Sequence, residues 1–142
     1  MDINEFYMFL KKFGILKQEI DRLTQNKDLF EIHNNVFLTN ESFKNLEVYK
    51  DMLLFIKLNE LLPSKFLLNW ISNNSQNLEV KSEKKAIEFT YSKNLNVQDL
   101  SLPSTDQEYF IVKFKDDVLG YVSFDGTKFK NEMNIGKYLK EN

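Results

Sequence analysis

The chain reads as an α+β protein in two parts: an N-terminal mixed α+β domain over residues 1–76, followed by a smaller, β-rich domain over residues 77–142. Three observations carry this reading. Apolar residues recur at three- and four-residue spacing through residues 2–25 and again after Pro63, the period of amphipathic helices. A polar run, Asn73-Asn74-Ser75-Gln76-Asn77, then interrupts the pattern as a linker would. Beyond it the chain changes to short alternating segments punctuated by turn residues.

The first helix is expected from Asp2 to Gln25, with Ile3, Phe6, Phe13, Ile20 and Leu23 on its apolar stripe. Gly14 marks either a kink or a break into two helices. Leu29–His33 and Val36–Thr39 flank Asn34-Asn35, a pair that tolerates the left-handed backbone of a two-residue hairpin turn. Asn40-Glu41-Ser42 suggests the cap of a short helix reaching about Val48, and Met52–Leu58 is the best buried strand. Pro63-Ser64 opens a helix over Lys65–Ser72, with the proline in its first turn, where the missing N–H costs nothing. Trp70 lies on the apolar face of that helix as a core or interface anchor.

In the second part, Ala86–Tyr91 and Glu108–Lys115 read as strands. In the latter, Tyr109, Ile111, Lys113 and Lys115 face one way and Phe110, Val112 and Phe114 the other. Asp116-Asp117 is a turn, Val118–Phe124 returns as the partner strand, and Asp125-Gly126 turns again. Asn134–Lys140 is expected to be a closing helical turn with Ile135, Tyr138 and Leu139 inward.

Composition narrows the chemistry. With 142 residues, 42% hydrophobic and 14% aromatic, the chain has ample material for a packed core. It has no cysteine, which excludes disulfides, thiolate zinc sites, iron–sulfur clusters and cysteine nucleophiles. His33 is the only histidine; beside a turn and with no assigned carboxylate or nucleophile, it reads as an exposed side chain. With four glycines no dinucleotide fingerprint can be written, and Gly120 and Gly126 are too far apart and followed by Thr127-Lys128 in the wrong order for a phosphate loop. No nucleophile–base–orienter constellation is visible, so the protein is read as a non-enzyme without cofactor or metal.

The start, Met1-Asp2-Ile3-Asn4-Glu5, is acidic where a secretory signal is basic, and the longest apolar run, Met52–Ile56, is far short of a membrane span. A cytoplasmic protein with no membrane partner is expected. Arg22 is the sole arginine against 18 lysines and 16 asparagines, so any nucleic-acid surface must be built from lysines and aromatics.

Two segments near the C-terminus carry a resemblance. Asp117-Val118-Leu119-Gly120-Tyr121-Val122 is similar to a "D-I-P-L-G-F-G" strand. Asn134-Ile135-Gly136-Lys137-Tyr138-Leu139-Lys140-Glu141 is similar to "D-I-G-E-Y-L-R-x-E". Phe89, Tyr91, Leu95 and Leu100 fall on the pattern of an "F-L-Y-G" segment in which Ser92 takes the glycine's place, and Leu68-Asn69-Trp70-Ile71 resembles "L-D-Y-L". Together these resemble the NIP-seven-like ribosome-biogenesis family of archaea and eukaryotes, over residues 68–142. That family ends in a PUA domain, a small β-barrel named for pseudouridine synthases and archaeosine transglycosylases.

The resemblance implies a PUA-like RNA-binding domain over residues 77–142 and a protein-interacting domain over residues 1–76. The protein would be a monomeric, non-catalytic factor acting on precursor rRNA or the nascent large ribosomal subunit, with ribosome-assembly proteins as partners. In a eukaryote it would be nuclear or nucleolar. Lys140 falls on the family's arginine of "Y-L-R". The other candidate contacts are Lys113, Lys115, Lys128, Lys130 and Lys137 for phosphates, and Tyr91 and Tyr109 for stacking on unpaired bases. Charge alone gives the blander reading of a solvated surface, since residues 81–142 hold ten basic and ten acidic side chains. Two alternatives are an adaptor of the same fold without strong RNA binding and a targeting subunit of an RNA-modifying enzyme.

Overall fold

The structure, a computed structural model, is described for residues 1–39, 53–96, 100–101 and 105–137. It is α+β. Helix α1 (Ile3–Lys11) starts at Asp2, whose carboxylate accepts from the Glu5 N–H at 2.8 Å. The helix ends before Gly14, which has a φ of +77°, and α2 (Lys17–Thr24) begins afresh after it. The glycine is therefore a break and not a kink.

Strands β1 (Asp28–Ile32), β2 (Asn35–Thr39), β3 (Leu53–Lys57) and β4 (Leu61–Pro63) form an antiparallel meander in that order. The first hairpin turns on His33-Asn34, one residue earlier than the sequence suggests, with φ of +49° and +67°. Two consecutive left-handed residues make the type I′ turn that matches the twist of a two-residue hairpin, and Asn35 is left free to pair with Ile32. The helix expected over residues 42–48 lies outside the described residues.

Pro63 closes β4, paired with Phe55, and so precedes the next helix instead of sitting in its first turn. Ser64 is the cap of α3 (Lys65–Asn73): its hydroxyl accepts from Leu67 N–H at 3.0 Å and donates to the Leu53 carbonyl. The polar run at residues 73–77 leads into β5 (Leu78–Val80).

Residues 86–91 are not a strand. Residues 86–90 belong to α4 (Glu83–Thr90) and Tyr91 is its C-terminal cap; Ser82 caps the start, its hydroxyl accepting from Lys85 N–H at 3.2 Å. The β-branched and aromatic residues Ile87, Phe89, Thr90 and Tyr91 favour a strand locally, but the cap and the burial of Ala86 and Phe89, three residues apart on one face, favour a helix. The turn at Ser92, with φ of +68°, ends it.

Strands β6 (Leu100–Ser101), β7 (Tyr109–Phe114), β8 (Asp117–Phe124) and β9 (Phe129–Asn134) join β5 in a five-stranded sheet of order β6-β5-β7-β8-β9. The sheet is antiparallel except for the β5–β7 pair, and among the described residues it is open. The β7–β8 turn is Lys115-Asp116, so Asp117 begins β8 and Lys115 leaves β7 through a φ of +54°. Asn134 ends β9 and is fully buried; helical backbone starts only at Gly136, and Ile135 is 37% exposed instead of inward. Tyr138 and Leu139 lie outside the described residues.

The alternation expected along β7 is present, but both of its faces are covered. Phe110 and Val112 join Leu78, Phe89, Leu119, Val122 and Phe129 in a core beneath α4. Ile111 and Met133 instead join Phe6, Leu10, Phe13, Leu54, Leu67 and Ile71. The second sheet is thus a shared wall, with one face completing the core built by α1, α3 and the first sheet. Backbone hydrogen bonds from Glu108 and Tyr109 N–H to the Lys12 carbonyl tie the two halves together at 2.9 and 2.8 Å.

Candidate nucleic-acid interface

The edge of the second sheet gathers part of the candidate set. Strand β9 is an edge strand, and the segment following α4 runs along it. Asn94 Oδ1 accepts from Asn131 N–H at 2.8 Å, while the Asn131 amide donates to the carbonyls of Phe89 and Lys93 at 2.9 and 3.0 Å. One step further, the Asn134 amide donates to Ser92 Oγ at 3.0 Å. The first of these bonds satisfies one backbone N–H of the edge, and the others fasten the segment after α4 against it.

They also fix what stands there. Tyr91, 67% exposed, projects at the C-terminal end of α4, with Lys93 exposed beside it and Lys130 exposed on the adjoining strand. Lys128 lies just before β9 in the Asp125–Lys128 turn. There Asp125 Oδ1 accepts from Thr127 N–H, Thr127 Oγ1 and Lys128 N–H at 2.9, 2.9 and 3.0 Å. Those donors, led by the Lys128 N–H, lower the Asp125 carboxyl to about 2.

Lys137 stands close by but is engaged. Its ammonium pairs with Glu60 of the β3–β4 connection and donates to the Glu132 carbonyl at 3.3 Å. Glu132 is the extra residue of a bulge in β9, and its carboxylate accepts from Ser123 Oγ at 2.8 Å with the Lys130 ammonium 4.0 Å away. Gly136 packs so tightly on α4 that a Cβ there would meet the Thr90 carbonyl oxygen at 2.0 Å, which brings the start of this final turn beside Tyr91.

The remaining residues lie elsewhere, so the lysines do not form one face. Lys113 and Lys115 sit at the β7–β8 end of the sheet and Lys128 at the opposite, β8–β9 end. Lys113 stands opposite Val118 and Lys130 opposite Ser123 on the two flanks of β8, and strand geometry puts their Cα atoms roughly 19 Å apart. Lys115 is exposed with its ammonium 5.4 Å from the centroid of the Phe114 ring. Lys140 lies outside the described residues.

Tyr109 is not on open surface. Its ring meets Phe9 and Phe13 edge-on at 6.3 and 5.4 Å and tilts against Tyr121 at 5.3 Å, with the Lys12 ammonium 5.0 Å from its centroid. This aromatic cluster joins the halves, and burial pushes the Tyr121 phenol above its ordinary range.

Sequence reasoning misses Lys93 and the two carboxylates, Glu60 and Glu132, that engage its lysines. The pairs 94–131 and 60–137 are distant in sequence, and no local pattern signals them. Among the described residues no three His, Asp or Glu side chains gather to hold a metal ion, and no helix is long and apolar enough to cross a membrane. No protein-family model matches the chain, and no curated protein matches it.

Proposed function

We propose that the protein is a non-catalytic RNA-binding factor whose C-terminal half is a PUA-like module and whose substrate is single-stranded precursor rRNA or RNA of the nascent large ribosomal subunit. The single observation that carries the proposal is the exposed Tyr91 ring, with Lys93 exposed two residues on in the segment bonded to the β9 edge and Lys128 and Lys130 exposed at that same edge strand. An aromatic face stacks on any unpaired base, and neighbouring ammonium groups neutralise the phosphates on either side. The positive φ of Ser92, where the resembling family carries glycine, supports the same reading, since that position needs the left-handed backbone glycine adopts most readily. In this reading the N-terminal half supplies the surface for assembly proteins, and Lys113 and Lys115 contribute little to the same RNA segment.

A second reading, a protein-interaction adaptor without strong RNA binding, is favoured by the ion pairs that already occupy Lys130 and Lys137. Fluorescence anisotropy with labelled single-stranded and structured RNA separates the two. Tyr91→Ala should weaken binding by about 1–3 kcal/mol, the range measured for a stacked base. Replacing Lys93, Lys128 and Lys130 by Ala should weaken it further, while a Lys113→Ala, Lys115→Ala variant binds nearly as the wild type. Absence of binding, or binding indifferent to the edge residues, would overturn the assignment and bring the adaptor reading forward.

A further inference from the structure

Of the lysines around the β9 edge, the one most firmly held is Lys137. Its partner, Glu60, comes from the other half of the molecule, 77 residues away in sequence. The lysine side chain is 25% exposed and the glutamate 52% exposed, so the pair sits in partly wet surroundings. Such a pair is weak, because water and salt screen it and two long side chains must be held still. A phosphate can compete for the ammonium on nearly equal terms. Glu132 sits between Lys137 and Lys130, offering its carbonyl to one and its carboxylate to the other, so both ammonium groups converge on the same strand position.

We infer that the Glu60–Lys137 contact is an autoinhibitory latch: Glu60 occupies Lys137 in the free protein, and an RNA phosphate displaces it. This rests on the RNA reading above and gives it a regulatory consequence. The carboxylate lowers resting affinity for polyanions, and RNA binding frees Glu60 and the β3–β4 connection that carries it. The two halves are thereby coupled through one exchangeable ion pair, since whatever engages Glu60 releases Lys137 for phosphate.

The test uses the full chain and a labelled single-stranded oligoribonucleotide of mixed sequence, about ten nucleotides long to cover an ordinary single-strand site. Glu60→Gln keeps the side-chain shape and removes the charge. It should raise affinity about two- to fivefold at low salt, the worth of a partly exposed ion pair. The slope of log K against log salt should stay close to the wild-type value, because Lys137 neutralises the same phosphate in both complexes, while Lys137→Gln should flatten it by roughly 0.7. In a Lys137→Gln background the same substitution should change nothing. If Glu60→Gln has no effect on a wild type that binds RNA, or raises affinity equally without Lys137, the latch is overturned while RNA binding stands. If neither wild type nor Glu60→Gln binds, the RNA reading and the latch fall together.

Discussion

Ile111 stands on β7 in the second half of the chain, yet its side chain is fully buried among residues of the first half, with Phe6, Leu10, Leu67 and Ile71 in the same core. Ile111→Ala removes three carbon groups from that core, about 2.4 kcal/mol at ~0.8 kcal/mol each. The cavity left behind raises the cost toward the ~4 kcal/mol seen where surroundings collapse poorly. A loss of about 3 kcal/mol with a urea m-value near 2 kcal/mol per molar moves the unfolding midpoint down by roughly 1.5 M. The assay is urea denaturation followed in parallel by far-ultraviolet circular dichroism and by fluorescence of the single tryptophan. Trp70 lies on α3 and packs against that same core, so its emission reports the first half. Because the mutated residue and the probe share one core across the polar break at residues 73–77, both signals should shift together in one transition. A Trp70 transition that stays in place while circular dichroism resolves a separate, earlier phase would refute the shared wall.

Other substitutions test local geometry. Gly120 has a φ of +147° and an added Cβ would lie 1.9 Å from the Met133 carbonyl oxygen, so Gly120→Ala should cost more than about 2 kcal/mol; a loss of a few tenths in thermal or chemical denaturation would show the β8–β9 register to be different. Replacing His33-Asn34 by Asn-Gly should stabilise the first hairpin by about 0.5–1 kcal/mol, read as a higher melting temperature, because both positions are left-handed. The Asp125 carboxyl should titrate by carbon-13 NMR near 2. Its folded value lies below the unfolded one, so its contribution to stability is complete above the ordinary carboxylate range and fades as pH falls through about 2. A midpoint near 3.8 would contradict the turn's hydrogen bonds, and Thr127→Ala should move the midpoint upward.

Much of the architecture is written locally. The interruption at Gly14, left open between a kink and a break, the helix after Pro63-Ser64 and the β7–β8 hairpin each follow from a glycine, a helix-opening pair or an alternating run that needs no tertiary knowledge. Helix α4 is illegible by the same means. Its residues favour strand, and what decides for a helix is the burial of Ala86 and Phe89 against the second sheet, a tertiary effect. The hairpin turns are offset by one residue because His33 and Lys115 adopt left-handed backbone that their residue types seldom signal. The candidate site is legible in its members more than in its shape. The candidate lysines can be read off one by one, but no local pattern shows that β8 separates Lys113 and Lys115 from Lys128 by its own length. The docking of the segment after Tyr91 on the strand that carries Lys130 depends on Asn94 and Asn131, 37 residues apart.

The central claim is that RNA is held along the β9 edge by stacking and by phosphate contacts from Lys93, Lys128 and Lys130. The most direct measurement is the salt dependence of single-stranded RNA affinity for the wild type and for the variant with those three lysines changed to Ala. Counterion release predicts that the wild-type slope exceeds the variant's by about 2, near 0.7 for each phosphate that the variant leaves unneutralised. The Lys113→Ala, Lys115→Ala variant should keep the wild-type slope. Equal slopes for wild type and the edge variant, or a wild type that binds no RNA at low salt, would contradict the account.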